Sequence, residues 1–130
     1  MQRPTNMSEI LIAEKDRYLL RVLTQGLQQP DRRLIALNDG EAILQRLREA
    51  APDVLIVDTN IAPMGGEELC RRLQSQMPNR KFLTCVLTSS AEDEYGNYAE
   101  WFGNFRMLEK PVSVGCLRSY IDVHLIDCAA

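Results

Sequence analysis

Apolar positions along this 130-residue chain follow two alternating patterns. The first is a short uninterrupted run: Ile10-Leu11-Ile12-Ala13, Val54-Leu55-Ile56-Val57, Cys85-Val86-Leu87 and Met107-Leu108. A strand whose sheet is covered on both faces needs continuous runs of this length. Strands are expected over 9–13, 33–36, 53–57, 82–87 and 105–108. The second pattern is apolar recurrence at helical spacing. Leu19, Leu20, Leu23 and Leu27 share a face of a helix expected over 17–28, with Asp16 as its N-cap. Asn38-Asp39-Gly40 caps a second helix whose apolar face carries Ala42, Ile43 and Leu47, and Ala51-Pro52-Asp53 stops it. A third helix over 66–77 ends at Pro78. A fourth over 91–103 opens on Glu92-Asp93-Glu94, which suits a helix N-terminus, although Gly96 and Gly103 weaken it. The last, over 113–126, carries Val114, Leu117, Ile121 and Leu125 on one stripe.

Five strand–helix units predict a doubly wound α/β domain, a (βα)5 flavodoxin-like fold with a parallel five-stranded sheet in the order 2-1-3-4-5. The domain is expected over 9–127, with a polar lead-in at 1–8 and a tail at 128–130. In such sheets ligands bind at the carboxyl ends of the strands. Four strands here end in residues with chemistry: Glu14-Lys15-Asp16, Asp58, Thr88-Ser89 and Glu109-Lys110-Pro111. The fold brings these distant segments together, and strand one beside strand three sets Glu14-Lys15 next to Asp58.

Asp58 is the best nucleophile candidate, since a carboxylate at a strand end can accept a phosphoryl group as an acyl phosphate. That transfer needs positive charge on the phosphoryl oxygens and usually a magnesium ion. Lys110 is a fitting counter-charge, and Thr88 can donate to a phosphoryl oxygen. Glu14 and Asp58, with the backbone carbonyl of Asn60, supply hard oxygen ligands for the metal. Each residue alone has a plain reading, as a cap, a loop residue or a solvated turn. Their shared placement at strand ends makes the coincidence improbable.

Composition narrows the class without changing this picture. A net charge of -3 argues against a nucleic-acid partner, and no apolar run approaches the roughly 20 residues of a bilayer span. No signal-peptide pattern opens the chain, so a cytoplasmic location is expected. Cys70, Cys85, Cys116 and Cys128 are widely spaced without CxxC pairs, and read as reduced thiols acting as small apolar residues. His124, the only histidine, reads as a partly buried residue of the last helix.

Asp58 in Val-Leu-Ile-Val-Asp, Gly66, Thr88-Ser89, Lys110-Pro111 and the entry Asn38-Asp39-Gly40-Glu41-Ala42 together resemble the receiver domain of two-component response regulators, the CheY-like fold, over about 9–126. The resemblance implies that Asp58 is the phosphoacceptor, Thr88 the switch hydroxyl and Lys110 the phosphate-contacting lysine. It implies magnesium as cofactor and a histidine kinase or phosphotransfer protein as partner. It implies no turnover enzyme, at most self-phosphorylation and autodephosphorylation at Asp58.

Three positions depart from the family's pattern. Lys15 stands where the family has a second acid that binds magnesium directly, Pro63 is displaced by Ala62, and Met107 replaces an aromatic switch residue. If Lys15 turns inward, Glu14 and Asp58 are balanced by Lys15 and Lys110, and the pull on a divalent ion is largely gone. Weak magnesium binding and weakened phosphorylation are therefore expected, unless Lys15 swings into solvent or Asp16 moves in as a ligand. Tyr95, Tyr98, Trp101, Phe102 and Phe105 crowd the face of the fourth helix, fifth strand and fifth helix. Trp101 and Phe102 are expected to pack beneath the fourth helix, and the face as a whole to offer a homodimer or effector contact. The alternative function is a pseudo-receiver, an interaction module that works without phosphorylation. Flavodoxins and haloacid-dehalogenase-like phosphatases fit poorly, because Glu14-Lys15-Asp16-Arg17 is neither a phosphate loop nor a DxD nucleophile motif.

Overall fold

The computed structural model describes residues 7–61, 64–101 and 104–129. Five strands and five helices alternate: β1 (Ser8–Ala13), α1 (Arg17–Leu27), β2 (Arg32–Leu37), α2 (Gly40–Glu49), β3 (Val54–Asp58), α3 (Gly65–Gln76), β4 (Leu83–Thr88), α4 (Ala91–Trp101), β5 (Phe105–Glu109) and α5 (Val114–Ala129). The strands form one parallel sheet in the order β2-β1-β3-β4-β5, as the sequence pattern predicts. Ser8, expected in the lead-in, already pairs with Arg32, and α5 reaches Ala129 in the expected tail.

Successive residues of a strand point to opposite faces, and this divides the core in two. Ile10, Ile12, Val54 and Ile56 pack with Leu23 and Leu27 of α1 and Leu117 and Ile121 of α5. Leu11, Ala13, Leu55 and Val57 pack on the other side with Ile43, Leu44 and Leu47 of α2 and Leu69 and Leu73 of α3. Both faces of β1 and β3 are thus covered, which is why their runs are continuously apolar. The second helix buries Leu44 rather than the expected Ala42, because 43, 44 and 47 form the tighter stripe.

The caps hold where the sequence places them. Asp16 accepts from the backbone N–H groups of Tyr18 and Leu19, and Asp39 from those of Glu41 and Ala42. In α4, a side chain added at Gly96 would meet nothing within 4 Å. Cys70 and Cys85 are buried free thiols, and burial pushes both pKa values well above the ordinary thiol range, that of Cys85 to about 12. Cys116 is exposed, correcting the expectation that it fills the core. Phe102, Pro63 and the side chains of Trp101 and Cys128 lie outside what is described. No helix among the described residues is long and apolar enough to cross a membrane.

At the amino ends of the strands, two ion pairs each bury one of their partners. Arg46 of α2 reaches Glu9 at 2.7 Å, with Glu9 only 2% exposed. Arg32 pairs with Asp122 of α5. The His124 ring nitrogen Nε2 lies 3.1 Å from the carbonyl of Asp53, in keeping with its expected half-buried place.

Candidate functional site

Asp58 ends β3 with its side chain 2% exposed. Its Oδ1 accepts the Asn60 N–H at 2.8 Å, and its Oδ2 accepts from Lys110 Nζ at 2.5 Å. Lys110 follows β5, and its own N–H donates to the carbonyl of Thr88 at 2.8 Å, which ties it to the end of β4. The Lys110–Pro111 peptide is cis. The loop after Asp58 is pinned from α3, where the Gly66 N–H donates to the Thr59 carbonyl at 2.9 Å. A Cβ at Gly66 would lie 2.7 Å from Thr59 Cα and 3.0 Å from the Asp58 carbonyl oxygen, so only glycine fits.

Glu14 follows β1 and is 1% exposed. Its Oε1 accepts the Asp16 N–H at 3.0 Å, and its Oε2 is buried without a hydrogen-bond partner among the described residues. Burial, followed by the neighbouring Asp58 carboxylate, raises its pKa from 4.5 to about 7. Burial acts on Asp58 in the same upward sense, but the adjoining Glu14 carboxyl and the hydrogen bonds from Lys110 and the Asn60 N–H outweigh it, and the Asp58 pKa falls. The two carboxyls thus divide the work: Asp58 stays ionised while Glu14 holds a proton near neutrality.

Lys15 is exposed, which corrects the inward alternative and its neutral pocket. Two carboxylates against the Lys110 ammonium leave a formal charge of about -1 when both acids are ionised. Asp16 is committed to capping α1 and does not replace the missing acid. An orphaned carboxylate oxygen beside a second carboxylate is donor chemistry suited to a hard divalent cation. Among the described residues, no group of three or more His, Cys, Asp or Glu side chains converges for a metal. Magnesium therefore fits here on Glu14 and Asp58, short of one side-chain ligand.

Thr88 ends β4 and is 1% exposed. Its hydroxyl donates to Glu94 Oε2 at 2.5 Å and accepts the Ser90 N–H at 3.0 Å. The strand ends therefore bring Glu14, Asp58 and Lys110 into contact, while the Thr88 hydroxyl is turned to α4. Glu94 was not legible as a site residue. It sits six positions after Thr88 in an acidic run that reads fully as helix N-terminal charge.

The crowded aromatic face divides. Tyr98 and Phe105 are buried as part of the core, and Tyr95 is 55% exposed with its ring 5.3 Å from that of Phe105. Met107 is partly buried against the core on the α2 and α3 side. Arg106 lies 5.3 Å over the ring of Tyr120.

A model of the response regulator receiver domain family matches residues 10–122. This chain belongs to that family. As a receiver domain of two-component signalling, it is 31% identical over 92% of its length to the virulence sensor protein BvgS of Bordetella pertussis, of which it spans 10%. It is 30% identical to the response regulator receiver protein CpdR of Brucella abortus, covering 92% of this chain and 98% of that one. Among solved structures, the receiver domain superposes on a putative response regulator from Chloroflexus aurantiacus with a TM-score of 0.81 and 22% identity, covering 92% and 98% of the two chains. It also superposes on the BeF3-activated DrrB receiver domain with a TM-score of 0.76 and 25% identity, covering 92% and 97%.

Proposed function

We propose that this receiver domain accepts a phosphoryl group on Asp58 from a histidine kinase or phosphotransfer protein, and does so weakly. An Asp58 oxygen bonds to phosphorus as the bond from phosphorus to the donor's leaving atom breaks. The product is an acyl phosphate, and the donor leaves with the electron pair. Glu14, Asp58 and the Asn60 carbonyl would hold magnesium, which when bound would supply positive charge to the phosphoryl oxygens. Lys110, already on Asp58, moves its ammonium onto the incoming phosphoryl group. Thr88 donates its hydroxyl once that group is in place. The protein performs no turnover beyond self-phosphorylation and autodephosphorylation.

The observation that carries this reading is the Lys110–Asp58 contact on an ionised, buried carboxylate. Weakness follows from two causes. Lys15 leaves the metal one acid short, and Glu14 must release its proton before it can ligate. Exposed Lys15 contributes by omission rather than by its own charge.

Mass spectrometry of the chain treated with acetyl phosphate and magnesium tests this. Slow labelling is expected at Asp58, none in Asp58→Asn, and faster labelling in Lys15→Asp, where a carboxylate is restored. Absence of label at Asp58 in both the parent and Lys15→Asp refutes the reading. It would favour the pseudo-receiver instead, an interaction module for which the protonated Glu14 and the occupied Thr88 hydroxyl are the supporting features.

A further inference from the structure

We infer that Glu94 is a positioning residue that holds the Thr88 hydroxyl away from Asp58 until a phosphoryl group competes for its proton. The inference rests on the reading of Asp58 as phosphoacceptor and concerns how readily that site switches. A threonine hydroxyl has one proton and can give it to one acceptor at a time. Here that acceptor is the Glu94 carboxylate at 2.5 Å, a charge-assisted bond, stronger than one to a neutral group. Thr88 is 1% exposed, so bulk water does not compete for its hydroxyl while the Glu94 side chain is in place.

The rest of Thr88 is fixed. Its carbonyl accepts the Lys110 N–H at 2.8 Å, and it pairs in register with Glu109 of β5. Rotation about χ1 is the motion left, and it exchanges one staggered position for another. Giving the hydroxyl to a phosphoryl oxygen therefore means taking it from Glu94. Glu94 lies in the first turn of α4, and its own N–H donates to the Ser90 carbonyl at 3.0 Å. The Ser90 N–H in turn donates to the Thr88 hydroxyl oxygen at 3.0 Å. Strand end, connecting turn and helix start thus close on one hydroxyl, and Glu94 sets the cost of turning it.

The test is affinity for beryllofluoride, an acyl-phosphate mimic, with magnesium, titrated calorimetrically on the full chain. Glu94→Ala is expected to tighten binding about five- to tenfold, the scale of a hydrogen bond to a charged group partly replaced by water. Glu94→Gln keeps an acceptor without the charge and should fall between parent and Glu94→Ala. In a Thr88→Ala background the Glu94 substitutions should change nothing, because there is no hydroxyl to release. Glu92→Ala removes an exposed acid from the same helical turn and should leave affinity at the parent value.

An unchanged affinity in Glu94→Ala overturns the inference. So does an equal gain in the Thr88→Ala background or in Glu92→Ala, since either would assign the effect to lost negative charge. If no variant binds beryllofluoride while all unfold cooperatively, the phosphoacceptor reading itself fails and the inference fails with it. That outcome is distinct from binding that ignores Glu94.

Discussion

Replacing Glu14 by glutamine should stabilise the metal-free protein, and by an amount that grows with pH. The folded protein raises the Glu14 pKa from 4.5 to about 7, through burial first and the neighbouring Asp58 carboxylate second. The sign follows from proton linkage. Below about pH 4.5 both folded and unfolded chains hold the proton, and Glu14 costs nothing. Between 4.5 and about 7 the unfolded chain releases it first, so stability falls as pH rises. Above about 7 both states are ionised and the loss is complete. Transmitted fully, the rise in pKa corresponds to about 3 kcal/mol. Solvent reaches the pair beside Lys110, whose side chain is 25% exposed, and screening reduces this to about 2 kcal/mol.

The glutamine amide resembles the protonated acid, since it can donate to Asp58 and carries no charge. Urea unfolding in EDTA should therefore give nearly equal stabilities for parent and Glu14→Gln at pH 5. At pH 8 the variant should be more stable by about 2 kcal/mol. A difference that stays flat between pH 5 and 8, or a parent that gains on the variant as pH rises, refutes the reasoning. Either result would mean that Glu14 is ionised in the fold at neutrality.

Gly66→Ala should cost about 2 kcal/mol, because its Cβ presses on the backbone of Thr59 and Asp58 rather than on a yielding side chain. The same variant should shift the amide NMR signals of Thr59 and Asn60, and unshifted amides with an unchanged melt would refute the clash. Arg46→Ala should cost about 3 kcal/mol in urea unfolding at pH 7, since it leaves the buried Glu9 carboxylate without its cation. Adding Glu9→Gln should recover part of that loss, and no recovery would show that the packing of the Arg46 stem, not its charge, is what matters.

Much of the fold was legible because its strands are buried on both faces. Such burial demands the uninterrupted runs at 10–13 and 54–57, and the apolar helical faces at 19–27 and 117–125 complete the layers. The carboxylate–lysine contact was legible for the same reason, since parallel strands deliver their last residues to one edge. What stayed hidden is decided by side-chain rotation, which has no period. Lys15 points outward, and the Thr88 hydroxyl faces α4 rather than Asp58. The pairing of Glu9 with Arg46 is hidden too, because it joins a strand to a helix 37 residues away at the far edge of the sheet.

Gly96 gives the helix that carries Glu94 a particular mechanical character. Among the described residues nothing lies within 4 Å of where an alanine side chain would stand, and the glycine costs the helix about 1 kcal/mol of stability. Asp58 and Thr88 lie on sheet strands, and Glu14 and Lys110 follow strands directly, so their backbones stay nearly stationary. Only Glu94 rides on an element that can loosen at small expense. A charge appearing at Asp58 would therefore be felt as slack in α4 rather than as movement of the sheet, and the message would leave the molecule through that helix.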